Sequence, residues 1–583
     1  MHGEATDLTF LLVVGILIVG AVATIARRIG VAAPLLLVVL GAGITLIPAT
    51  PNITVPPEVI LTVILPPLLY AAALKVPAVD FRRNIQVIAF LSVVLVVLSA
   101  FVVGLVVHAL LPAVGFALAL ALGAVVAPPD AVAATALGKR LGLPPRVVTI
   151  LEGEGLVNDA TALVLLATAT GAIASGAVEP GEAVLDFLWA VVGALLVGGV
   201  VAGITILVRK RVTERALDAA ISIATPFLAF QAAELVHASG IVAVVVAGIL
   251  VGNQGLSRVK AEFRASERAT WETFSLLVEN GVFLTMGLQL PLVVGDVMAD
   301  DPGAMWPVIG VAALVCVVLA AVRFAALPPL LLWLRARARR RERGHVQLRA
   351  RMDLMNTFAD QQPKGTPWQA QVESRLERAR RMFARRDNDI TALRDQRLGW
   401  RDTAVIGWAG IRGVVTVAAA QTLPESELRE QLVLIAFIVA VATLLVQGGT
   451  LPLLVRVLRL QRDTKGKERT EMHALIRDLT DAGAGAIERV AGEGDYPEDL
   501  VKTAITRTRA RRRWFDMLAD DDADSETSNV TRMFALRHAA LDAQRAFLEE
   551  ARSLGAYSSE AIGRAQELID RDEIALEADR GVG

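Results

Sequence analysis

The chain holds one cysteine, Cys316, which excludes an internal disulfide framework and any metal site built from several thiolates. Charge is scarce as well. Only 20% of the 583 residues are Asp, Glu, Lys or Arg, against 54% apolar residues and a mean hydropathy of +0.54. Soluble chains of this length are more charged, so the composition selects an integral membrane protein. No cleavable leader is expected: residues 1–7 are acidic, and the first apolar run is too long for a leader core, so it is expected to stay as a helix. The acidic stretch DDDADSETSN, 520–529, lacks the glycine and ligand spacing of a calcium loop and reads as a helix boundary with a capping signal. The net charge of −1 conceals an uneven layout, with charges gathered in 335–401 and after 456.

What is abundant is apolar sequence in blocks of about 20 residues with polar ends, the length that crosses a bilayer. Such blocks lie at 8–26, 31–48, 57–76, 85–110, 113–137, 147–174, 183–207, 216–236, 240–252, 271–290, 306–334, 403–422 and 430–458. The expected fold is therefore an all-α polytopic membrane protein of about thirteen transmembrane helices. With the N-terminus outside, basic residues fall in the inner loops: Arg27 and Arg28; Arg82 and Arg83; Lys139, Arg140 and Arg146; Arg209, Lys210, Arg211 and Arg215; Arg258, Lys260, Arg264 and Arg268; Arg456, Arg459 and Arg462. Arg429 is the one exception outside. That alternation follows the positive-inside rule and puts the C-terminus in the cytoplasm.

Thirteen spans divide into two six-helix halves around one linking helix, inverted relative to each other. Paired helix breaks at matching positions mark the ion site of inverted-repeat transporters. Pro128 and Pro129 break the fifth span. The twelfth carries GWAGIRGVV, with Gly407, Gly410 and Gly413 around Arg412. Proline inside a helix removes a hydrogen bond and clashes with the preceding turn. Unwound backbone at membrane depth is tolerated only where protein buries it or it lines a cavity.

The acids cluster at the same place. Asp130 follows the two prolines, and the sixth span holds Glu152, Glu154, Asn158 and Asp159. A charge at a membrane helix centre costs about 2.5–3.5 kcal/mol on insertion scales, so intramembrane acids are functional candidates. At about 100° per residue Glu152, Gly155 and Asp159 share a face, with Asp159 about 10 Å deeper than Glu152. Glu152 is then a residue of a cytoplasmic funnel. Asp130 and Arg412 supply opposite charges to the half-helix ends; for Asp130, direct cation ligation is an equal alternative. Two carboxylates about 8 Å apart at an effective dielectric of about 20 repel by roughly 2 kcal/mol, a cost relieved when one takes a proton. A single carboxyl, Asp159, then holds either a proton or a hard monovalent cation. Glu154 needs a buried partner; Arg323 is the first candidate and Arg412 the second. His108 and His237 read as interfacial, and Lys75 as a side chain snorkelling to the surface.

The expected domains are a transmembrane body, 1–460, interrupted by a charged cytoplasmic insert at 335–402, and a helical cytoplasmic tail, 461–583. The insert is basic and helical, suited to lying beside the membrane; anionic lipid or a regulatory contact is the sharper alternative. The tail reads as amphipathic helices for packing, dimerisation or regulation.

The strings PPLLYAAAL at 66–74, APPDAVAA at 127–134, LEGEGLVNDATALV at 151–164 and GIRGVVTVAAA at 410–420 resemble the bacterial branch of the monovalent cation:proton antiporter-1 family, with its NhaP-type and NHE-type exchangers. The resemblance covers residues 8–460. It implies an NhaA-like fold, a homodimer in the cytoplasmic membrane, alternating access and a role in pH and sodium homeostasis, with no enzymatic activity, no cofactor beyond the transported ions and no nucleic acid partner. It further implies Asp159 and Asp130 as the ion- and proton-binding carboxylates, Asn158 as the residue of an electroneutral Asn-Asp pair, Glu154 with Arg323 as the core ion pair, and Arg412 at the second break. Three positions depart from many relatives: Pro129 replaces a threonine, Gly155 a serine, and Ala71 a third-span glutamate. Sodium is the first expectation for the cation, with lithium and potassium open. An intramembrane aspartyl protease lacks its YD and GxGD contexts here; a channel or pH sensor on the same fold stays a remote alternative.

Overall fold

The structure, a computed structural model, describes residues 2–29, 32–47, 56–130, 135, 138, 141–175, 180–253, 261–360, 367–460, 464–494, 496–509 and 523–580. Lys139, Arg140, Arg258, Lys260 and Arg462 of the inner-loop count lie outside the described residues, as do 520–522 of the acidic stretch. Among the described residues the secondary structure is helical and no strand occurs. Seven helices are long and apolar enough to cross a membrane: Ala78–Leu110, Pro145–Ile173, Val184–Arg209, Arg215–Glu234, Glu267–Asp300, Pro302–Arg340 and Arg429–Val457. Shorter apolar helices lie at Val13–Ala26, Ala33–Thr45, Val59–Lys75, Phe116–Val126 and Gly240–Gly252. The all-α, multi-pass membrane architecture expected from composition is thus present.

The chain forms two compact units: residues 1–253, 268–335 and 396–462 in one, and 254–267, 336–395 and 463–583 in the other. The first is the membrane body. Its helices pack through small side chains, because lipid offers no hydrophobic drive and close backbone approach replaces it. Gly123 in Phe116–Val126 lies against the Ala100 carbonyl of Leu95–Leu110, and Gly41 meets the backbone of Leu284, Gly287 and Leu288; a methyl group at either glycine would strike backbone. One core joins residues from Phe116–Val126 to those of Arg429–Thr443. A second gathers Tyr70, Leu156, Ala160, Phe230, Val244 and Trp271, with the Tyr70 and Trp271 rings 5.3 Å apart and the Trp271 indole donating to Ser222 at 3.0 Å.

Two loop arginines turn out to be structural. Arg209 is buried and bidentate to Asp218, both bonds 2.7 Å. Arg429, the exception to the charge rule, donates to the Gln421 carbonyl at 2.7 Å and the Leu423 carbonyl at 3.0 Å, closing the end of helix Val414–Gln421. A cation on free helix carbonyls is favourable.

The second unit brings together insert and tail, which read as separate segments in sequence. Helices Thr464–Glu493, Ala523–Leu554 and Ser559–Arg580 share a core of Leu475, Leu479, Leu541, Leu548, Ile569 and Leu576. The insert helix Pro367–Asp395 ties onto the end of Ala523–Leu554: Arg385 donates to the Ser553 carbonyl and Asn388 to the Leu554 carbonyl, the latter at 3.1 Å. Those carbonyls have no partner within their own helix.

Candidate ion-binding site

Both sequence breaks are real gaps in helix. Phe116–Val126 stops at the prolines, and Trp400–Trp408 gives way to five non-helical residues before Val414–Gln421 resumes. The two gaps meet: the Asp130 amide donates to the Ile411 carbonyl at 2.6 Å. Arg412, 2% exposed, donates to the Val126 carbonyl at 3.1 Å, to Ala127 at 3.4 Å and to Gly410. It therefore fills the unpaired carbonyls at one half-helix end with positive charge. Its own amide is held by Thr443 Oγ1 at 3.0 Å. Asp130 does the converse. Its carboxyl lies against Gly413, the residue that opens helix Val414–Gln421, where a negative charge suits the helix N-terminus.

The unbroken helix Pro145–Ser175 runs past this crossing. Asn158, fully buried, donates to the Pro129 carbonyl at 2.6 Å and so satisfies backbone that proline unwound. Its Oδ1 has no hydrogen-bond partner among the described residues. Glu154, 1% exposed, takes Arg323 bidentately at 2.5 and 2.8 Å; Arg323 Nε also donates to the Ile406 carbonyl at 3.0 Å, joining this helix to Trp400–Trp408. Ser92, in a π-helical turn at Phe90–Val94, donates to the Glu154 carbonyl at 3.1 Å. Gly410 gives room for Arg323 and Arg412 side by side.

Asp159 is 8% exposed and opens into a cavity of about 240 Å³. The cavity is lined by Pro128, Asp130, Thr135, Glu152, Gly155, Gly413 and Thr416, among others. Water takes about 30 Å³ per molecule in the liquid, so the space admits a partly hydrated ion. Where Pro129 and Gly155 bring no hydroxyl, Thr135, Ser275 and Thr416 bring theirs. Lys75 is exposed and also lines the cavity. Sequence reasoning missed Glu279, which stands in the cavity wall on helix Ala261–Asp300. The signal was available: an acid at the centre of the 271–290 span obeys the rule that singled out Asp130. His108 contacts the Val114 carbonyl at 2.8 Å at a helix end, and His237 is exposed with a φ of 55°; both stand outside the cavity.

Gly413 yields a direct test. A methyl group there overlaps the Asp130 carboxyl and pushes it off the helix end. Gly413→Ala is expected to raise the cation concentration for half-maximal transport roughly tenfold, since misplacements near 1 Å cost that much or more. Gly281→Ala, with nothing within 4 Å of the new methyl, is the matched control.

Two broken helices crossing in a membrane body, with carboxylates in a cavity beside them, are the arrangement of a secondary transporter of small cations. The family model described as "Sodium/hydrogen exchanger, transmembrane" matches residues 13–457, and the chain belongs to that family. An uncharacterized Na(+)/H(+) exchanger of Mycobacterium tuberculosis (strain ATCC 25618 / H37Rv) is 29% identical over 99% of both chains. The Na(+)/H(+) antiporter NhaP of Pseudomonas aeruginosa is 26% identical over 68% of this chain and 81% of its own. A sodium, potassium, lithium and rubidium/H(+) antiporter of Bacillus subtilis is 30% identical over 54% of this chain and 48% of its own. In structure, the sodium proton antiporter MjNhaP1 of Methanocaldococcus jannaschii is similar over 79% of this chain and 100% of its own, with a TM-score of 0.54 at 16% identity. That likeness carries the fold.

Proposed function

We propose that the protein exchanges sodium for protons across the cytoplasmic membrane by alternating access, one cation against one proton, and so serves intracellular pH and sodium balance. The observation that carries this reading is Asp159 opening into a cavity beside the Asp130–Arg412 crossing. In each cycle the Asp159 carboxyl releases its proton to one side and takes a cation in its place. It then releases the cation on the other side and regains a proton. The charge moved is one each way, so the cycle is electroneutral. Asn158 fits that count, because its neutral amide satisfies Pro129 without adding a second carboxylate. Asp130 supplies fixed negative charge to the bound ion, and Glu154–Arg323 and Arg412 hold the moving half-helices as one piece. The reading takes the protein as a homodimer with the N-terminus outside, and the tail and insert as a cytoplasmic regulatory unit.

Potassium is the second reading, supported by the name of the B. subtilis relative. Purified full-length protein in sealed vesicles, with an internal pH dye and imposed sodium, lithium or potassium gradients, separates the two. Sodium-driven proton movement, unchanged by clamping the membrane potential, is the expected result. Proton movement with potassium alone moves the assignment to potassium, and ion current without saturable exchange replaces the carrier by a channel. Asn158→Asp is expected to make exchange respond to voltage; an unaltered response overturns the role given to Asn158.

A further inference from the structure

The cavity has two acids that the exchange cycle does not use, Glu152 and Glu279. Five charged side chains line it: Lys75, Asp130, Glu152, Asp159 and Glu279. The helix Val414–Gln421 and its cap add Gly413, Val414, Val415 and Thr416, none of them charged, and the neighbouring π-helical turn adds Ile60 and Ile64. Four carboxyls thus face one ammonium. Glu154, the other acid at this depth, is neutralised by Arg323. Glu279 is different. Among the described residues it makes no hydrogen bond and no ion pair, and it lies half-buried where the cavity lets water reach it. An acid kept in an apolar span without a protein partner costs several kcal/mol unless water or an ion serves it.

The order of exposure gives the direction of entry. Lys75 is exposed, Glu279, Glu152 and Asp130 are half-buried, and Asp159 is buried. An ion coming from water meets Lys75 and the half-buried acids before Asp159. We propose that Glu279 is a further cation-binding carboxylate of this cavity, which takes the hydrated ion ahead of Asp159, with Lys75 opposing it as the charge that keeps the resting cavity from holding cations too tightly. This rests on the exchange reading and adds to it a waiting position for the ion. Ser275, one helical turn before Glu279 on the same wall, adds a neutral oxygen to that position.

The two residues carry opposite charge into one water-filled space, so their removal shifts affinity in opposite directions. A unit charge about 8–12 Å from the ion, at an effective dielectric of roughly 20–40, changes its affinity roughly 3- to 30-fold. In vesicles holding the full chain, Glu279→Gln is expected to raise the sodium concentration for half-maximal exchange by that factor. Lys75→Gln is expected to lower it, and Glu279→Asp to stay within about twofold of the parent. Unchanged values for both neutral variants, or shifts of the same sign, overturn the assignment. Should Glu279→Gln fail to insert, Lys75→Gln alone decides: a lower value upholds the opposing pair and an unchanged one refutes it. Equilibrium binding of radioactive sodium to the solubilised protein measures the same shifts without transport. Parent protein that binds sodium with these variant effects but exchanges nothing refutes the antiport reading and leaves Glu279 in place.

Discussion

Asp159→Asn is expected to abolish cation–proton exchange, by roughly 100-fold or more, while the protein inserts and purifies like the parent. The substitution keeps the side chain's size and its place in helix Pro145–Ser175. It removes the one thing the proposed cycle needs, a carboxylate that carries either a proton or a cation. Deleting one member of a desolvated charge pair costs about 2–5 kcal/mol, which spans that loss of affinity. Asp130→Asn is expected to be less severe. Asp130 is only half-buried, its amide bond to Ile411 is backbone chemistry, and an amide oxygen still points toward the helix end at Gly413. Exchange by Asp159→Asn at more than a tenth of the parent rate, in vesicles with matched protein content, would end the single-site scheme.

Much of this site was legible in the sequence because lipid makes exceptions costly. Asp130, Glu154 and Asp159 stand out from apolar blocks for the same reason they must be paired, capped or hydrated in the fold. The breaks were legible for a related reason: Pro128 and Pro129 have no amide to give, and the glycines around Arg412 do not hold a helix together. Both gaps in the structure fall where those residues predict them. Less was legible in the geometry. Nothing in the string GIRG says that the Arg412 guanidinium reaches the Val126 and Ala127 carbonyls, nearly 290 positions away. That contact needs two half-helices placed end to side, which only packing decides.

Glu279 shows the limit of reasoning by motif. It lies in VENGVFL, between residues suited to lipid, and no break or second acid sits beside it. The composition rule applies to it as strongly as to Asp130, but the eye follows clusters. The insert and tail show a different limit. Arg385 and Asn388 read as part of a basic surface helix, yet they close carbonyls at Ser553 and Leu554, over 160 positions further on. A charged side chain on a helix does not announce whether it meets water, lipid or a distant helix end.

Glu154→Gln and Arg323→Met are each expected to destabilise the membrane body by about 3–5 kcal/mol, the cost of leaving one buried charge alone. The environment sharpens the effect in Glu154→Gln. Arg323 is 3% exposed, and Gly410 places it beside Arg412, so loss of the carboxylate leaves two guanidinium groups adjacent with no buried acid between them. In Arg323→Met the Glu154 carboxylate loses its bidentate partner and keeps only the neighbouring Arg412 charge, and the Ile406 carbonyl loses its donor. The double variant Glu154→Met with Arg323→Met separates the pair from its members. Replacing both ions of a buried bridge with apolar side chains of similar volume is often neutral or stabilising. Its melting temperature in detergent is therefore expected to exceed that of either single variant. Exchange is expected to stay low, because the link from Pro145–Ser175 through Arg323 to Trp400–Trp408 is gone and that broken helix no longer moves with the helix that carries Asp159. A double variant as unstable as the two singles added together excludes coupling between the charges. One that is stable and exchanges at the parent rate leaves the bridge as packing alone, with no part in transport.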